Sequence, residues 1–196
     1  MDIAAFSFQV ERGLIDNVLQ VLTVQELGWT DTQYSQVFAT ANLISETSGM
    51  IIGGFLIDNF CKAKMITVNL SLLILPIATM SFLKSFWNSE LFVTAFIIGF
   101  YILLTFTTIA IFASAMQLCW KRISITQFTL YMAISILGLS AGATLLEPRK
   151  VLPNLEYVIP CYIIFAGVML ILIRFINFEK HQKLVKKSER KFFENN

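Results

Sequence analysis

LFVTAFIIGFYILLTFTTIAIFASAMQLCW, residues 91–120, runs for thirty positions without an Asp, Glu, Lys or Arg. A helix rises ~1.5 Å per residue and the hydrocarbon core of a bilayer is ~30 Å thick, so ~20 such residues cross it. Residues 65–83 and 123–146 are equally free of charge. Within lipid the backbone has no water to bond, so a spanning segment is a helix or part of a closed barrel. These runs lack the ten-residue alternation of barrel strands, and the helix is the expected form.

Working outward from this stretch, six hydrophobic elements are expected at residues 4–25, 34–59, 65–84, 91–118, 126–146 and 157–178. Residues 1–178 then form one all-α membrane bundle, followed by a basic cytosolic tail at 179–196. Charged residues make up only 14% of the chain and apolar ones 56%, against roughly 25% charged in an ordinary soluble domain. The first element is the weakest, with Glu11, Arg12, Asp16 and Asn17 inside it. It makes sense only against other helices or facing water, because each charge at a helix centre costs ~2.5–3.5 kcal/mol on insertion scales. The fourth is longer than a bilayer needs and is expected to tilt or extend.

The charges between the elements set the orientation. With the N-terminus inside, the cytosolic segments hold Lys62, Lys64, Lys121, Arg122 and six Lys or Arg in the tail, while the outer loops hold Lys84, Arg149 and Lys150. The positive-inside rule therefore expects both ends in the cytosol. The tail, EKHQKLVKKSERKFFENN, reads as a topology anchor or as a contact for anionic lipid. The start has Asp2 where a signal sequence carries basic residues, so no cleavable signal is expected.

The net charge of +2 gives no reason to expect nucleic acid. Cys61, Cys119, Cys161 and His181 have no metal-ligand spacing, and neither a metal site nor a disulfide framework is expected. There is no nucleophile–base pair and no phosphate-cradling loop. The chain does not read as an enzyme, and no cofactor is expected.

Glu46 carries the most information, because residues 32–45 and 47–57 hold no other charge. An acidic side chain at that depth is expected to face a cavity, titrate, or pair with a cation. Ser35, Ala39, Asn42, Glu46, Gly49 and Gly53 recur at helical spacing as a polar and small stripe. The alternative for the glycines is a helix-packing seam. Gln9, Arg12, Asp16, Gln20 and Thr23 form a second stripe. Arg12 and Asp16 are four apart and share a face, so they are read as a cavity wall touching a polar solute or as a self-neutralised structural pair. Gly138 and Gly142, with Ser135 a turn earlier, read as a packing face. Pro76 and Pro160 are either kinks or tolerated prolines.

GFLIDNFCKAK, residues 54–64, resembles the cytosolic loop signature of the major facilitator superfamily: Gly54, Asp58 and Lys62 match, whereas Asn59 and Cys61 stand where arginine and glycine are usual. MQLCWKRISITQFTLYMAIS, residues 116–135, is similar to the segment leading into the eleventh helix of the muropeptide permeases. GWTDTQYSQVFA, residues 28–39, resembles the stretch after their seventh helix. The resemblance implies the C-terminal six-helix half of a secondary transporter that takes up sugar–peptide fragments with protons. It also implies a gating role for Asp58 with Gly54 and Lys62, although a local helix-end interaction with Lys62 is an alternative reading of Asp58. Glu46 is then expected to couple protons, with Asn42, Arg12 and Asp16 contacting a small polar solute.

In that reading the partners are the lipid bilayer, the solute and a second six-helix bundle (an N-terminal half, a separate chain or another copy). The location is an integral multi-pass membrane protein, in the inner membrane if bacterial. The competing reading is a truncated or accessory membrane subunit without transport of its own.

Overall fold

The computed structural model describes residues 2–59, 62–120 and 123–145, together with Gly167. The expected span at 157–178 and the tail at 179–196 lie outside these residues, Gly167 apart. Within them the chain is all helical, with no strand. The helices are α1 (Asp2–Val21), α2 (Asp31–Ser48), α3 (Gly54–Asn59), α4 (Lys62–Phe82), α5 (Glu90–Leu118) and α6 (Ser124–Leu145). Two wide π-helical turns, Leu22–Glu26 and Gly49–Gly53, extend α1 and join α2 to α3.

The turn after α1 ends where Gly28 adopts φ +72°, a left-handed conformation that costs glycine nothing and most residues 1–2 kcal/mol. It lets the Leu27 and Trp29 amides bond back to the carbonyls of Leu22 and Thr23, each at 3.0 Å. Thr30 then starts α2 with a reciprocal cap: the Gln33 amide donates to Thr30 Oγ1 at 3.2 Å, and the Thr30 amide donates to Gln33 Oε1 at 2.9 Å. This local chemistry turns the chain through a tight corner between α1 and α2.

Two helices are long and apolar enough to cross a membrane: Glu90–Gln117, with 28 residues, and Ser124–Thr144, with 21. In α4 a shorter apolar stretch covers Lys64–Met80. Ile66, Leu70, Leu73, Ile77 and Met80 form its buried face at alternating steps of four and three, yet Val68, Leu72 and Leu75 on the outer side are also large and apolar. On α6, Ile125, Leu130, Ile136 and Leu137 are exposed in the same way. Helices that are apolar all round match a hydrocarbon environment better than water. Helix α4 runs unbroken through Pro76.

Helices α2 and α4 both pack on α5. Helix α1, whose charges make sense only against other helices or facing water, is enclosed: Ala5, Phe8, Val10, Ile15, Val18 and Leu19 are all buried. Its main neighbour is α6. A Cβ on Gly138 would come within 2.6 Å of the Phe6 carbonyl oxygen, and one on Gly142 would overlap the Val10 carbonyl oxygen. From the other side, a Cβ on Gly13 would overlap the Leu139 carbonyl oxygen. Glycine here lets two backbones touch, as in small-residue packing between membrane helices. Phe6 faces Gly138 and Val10 faces Gly142, so the two helices run in the same direction. The Asn17 amide closes the pair with a 2.6 Å bond to the Ala143 carbonyl.

Candidate functional site

Asp16 lies on α1 where that helix approaches α5. Its carboxylate accepts a hydrogen bond from the Tyr101 hydroxyl of α5. The Tyr34 hydroxyl, from the start of α2, sits 3.4 Å from the Asp16 backbone carbonyl oxygen. Arg12 lies one turn before Asp16 on the same helix and is half-buried. Thus α1, α2 and α5 bring a carboxylate, a guanidinium and two phenols to one place.

Aromatic rings wall this cluster. Phe38 meets Tyr101 edge to face, with centroids 5.3 Å apart and planes at 86°, and Tyr34 lies 5.8 Å from Phe38 on the other side. Phe100 packs against Tyr101 in the same T-shaped manner. Such contacts hold the rings by shape and add ~0.5–1.5 kcal/mol each. A buried tyrosine hydroxyl needs an acceptor, and Asp16 supplies it.

The sequence-derived candidates are thus brought together only in part. Arg12 and Asp16 share the cluster, and there the Asp16 carboxylate accepts the Tyr101 hydroxyl. Asn42 on α2 is half-buried and spends its side-chain amide on its own helix, donating to the Phe38 carbonyl at 2.9 Å. Glu46 is exposed on the outer face of α2. The expected single stripe splits: Gly49 and Gly53 are buried against α5, where a Cβ on Gly49 would lie 2.7 Å from Thr105 Cγ2 and one on Gly53 3.1 Å from Ile109 Cδ1. In an unbroken α-helix, at ~100° per residue, Gly53 would drift round toward the face of Glu46. The wide turn at Gly49–Gly53 adds a residue to the turn and swings Gly53 back to the packed side. The glycines are therefore a packing seam, as the alternative reading held.

Gly54 opens α3, and a Cβ there would meet nothing within 4 Å. Asp58 falls in α3 and Lys62 opens α4, but their side chains lie outside the described part of the structure. In the fourth expected span, Thr107, Thr108 and Ser114 bond their own helix, at 2.7–2.8 Å to the carbonyls of Leu103, Leu104 and Ala110. Among the described residues no three His, Cys, Asp or Glu side chains gather to hold a metal ion.

Sequence reasoning missed Tyr101, Tyr34 and Phe38. A tyrosine within an otherwise apolar run was the available signal, since its hydroxyl requires a partner inside the bundle.

Compared with known proteins, the chain matches no family model, no curated protein and no solved structure.

Proposed function

We propose that the chain is one six-helix half of a secondary transporter of the major facilitator type, with both ends in the cytosol. In this reading it is an integral multi-pass membrane protein, in the inner membrane if bacterial. It works with a second six-helix bundle and takes up a small polar solute of the muropeptide-like sugar–peptide kind, coupled to protons.

The observation that carries this reading is the Arg12–Asp16–Tyr101 cluster. An intramembrane carboxylate and guanidinium are expensive away from water and by default mark a solute or ion path. Here they lie on α1, enclosed by α5 and α6, with aromatic walls of the kind that pack against a sugar ring. Supporting it, α1 and α6 run in the same direction, as the first and fifth spans of an alternating six-span topology must. Glu46 on the exposed face of α2 would line a cavity once a second bundle covers that face, and there it would serve as the proton-coupling acid. Asn42 lies on the same helix one turn away. Gly54, Asp58 and Lys62 would form the cytosolic gate between α3 and α4.

Glu46 also favours the second reading, an accessory or truncated subunit without transport of its own, because a carboxylate on an uncovered lipid-facing surface demands a partner. Proteoliposomes separate the two. Accumulation of a labelled disaccharide–peptide that follows an imposed proton gradient is expected of the transporter. Accumulation no greater than in protein-free vesicles, with the chain folded and inserted, contradicts transport by copies of this chain on their own; accumulation that appears only when a second six-helix bundle is reconstituted with it supports the transporter half, and none even then favours the accessory subunit.

A further inference from the structure

An arginine carries five N–H donors and no acceptor. A charged donor held away from water without an acceptor is more costly than a neutral one. Arg12 has an obvious candidate, because Asp16 lies four residues on along the same face of α1. Yet the Asp16 carboxylate takes the Tyr101 hydroxyl as its donor. Arg12 Nε is buried with no hydrogen-bond partner, while the side chain as a whole is only half-buried. The group is therefore neither fully solvated nor satisfied. One turn earlier, Gln9 is 7% exposed and its Oε1 is likewise unbonded. Two side chains on one face of the same enclosed helix thus present a free donor and a free acceptor.

We propose that Arg12 is the anchor for an anionic group of the solute, a carboxylate or phosphate, and that Tyr101 is the positioning residue that keeps Asp16 from capping it. This rests on the transporter reading above. A guanidinium fits such a group through two parallel N–H···O bonds. Gln9 Oε1 suits a hydroxyl or amide N–H beside it. The Tyr101 hydroxyl takes one oxygen of the Asp16 carboxylate and draws that group toward α5, away from the guanidinium.

The test uses the full chain in nanodiscs of phosphatidylcholine alone, so that no acidic headgroup competes. The probes are N-acetylmuramic acid and N-acetylglucosamine, which share the ring and the acetamido group and differ by a lactyl carboxylate. Charge-assisted bonds of this kind correspond to about tenfold or more in affinity. The acid is expected to bind about tenfold more tightly than the neutral sugar. Arg12→Gln should erase that difference. Tyr101→Phe should narrow it with Arg12 intact, because the released Asp16 pairs with Arg12, and adding Asp16→Asn to Tyr101→Phe should restore it. Equal binding of the two sugars by the unmodified protein overturns the anion anchor and leaves the sugar-uptake reading standing. Binding of neither, with the protein folded, overturns the anion anchor on this chain. A preference that survives Arg12→Gln, or that vanishes when phosphatidylglycerol is added, also overturns the assignment, in the latter case by giving the anion site to lipid.

Discussion

The Tyr101 hydroxyl and the Asp16 carboxylate, 85 residues apart in the chain, are joined by a hydrogen bond that ties α5 to α1. Around it Tyr34 and Phe38 bring α2 to the same point. Three helices therefore meet at one cluster.

Tyr101→Phe removes the donor that ties Asp16 to α5. Interhelical bonds in membranes are worth about 0.6–2 kcal/mol, and bonds to charged groups lie at the upper end. The variant should unfold about 1–2 kcal/mol more easily, seen as a lower thermal midpoint in detergent. An unchanged midpoint would show that Asp16 is held by other means.

The α1–α6 seam makes a second prediction. Gly142→Leu must push α6 away from the Val10 carbonyl, and Gly138→Leu must displace Phe6. Overpacking of a close contact costs about 1–3 kcal/mol, and each variant should lose that much stability. Gly99 on α5 is the control, since a Cβ there meets nothing within 4 Å. Gly99→Ala should be neutral or more stable by about 0.5–1 kcal/mol, because alanine suits a helix better. Equal tolerance at Gly142 and Gly99 would contradict the backbone contact.

Glu46 is exposed, so Glu46→Gln should change stability by less than about 0.5 kcal/mol, as surface substitutions do. If Glu46 couples protons, the same variant should insert normally and take up solute without responding to a proton gradient. Uptake that still follows the gradient would remove Glu46 from that role.

The helices were legible because hydropathy marks them strongly. The charge-free run at 91–120 expected a span at 91–118, and α5 covers Glu90–Leu118. The run at 123–146 likewise matches α6, Ser124–Leu145. The glycine seam at Gly138 and Gly142 was legible from spacing alone. The face of Glu46 was not, because the stripe assumed a straight helix and the wide turn at Gly49–Gly53 leaves no mark in hydropathy. Nor was the Tyr101–Asp16 bond, since a periodicity along one helix carries no information about which residue of a distant helix it meets.

The measurement that bears most directly on a multi-pass membrane bundle with both ends in the cytosol is single-cysteine labelling in intact cells with a membrane-impermeant maleimide. Cys61, Cys119 and Cys161 are first replaced by serine. Cysteines at Asp31, the first residue of α2, and at Asn88, in the α4–α5 connection, should label from outside, whereas one at Lys64 should label only after permeabilisation. Labelling of Lys64→Cys from outside, or protection of Asp31→Cys and Asn88→Cys in intact cells, would contradict that orientation and the transporter reading built on it.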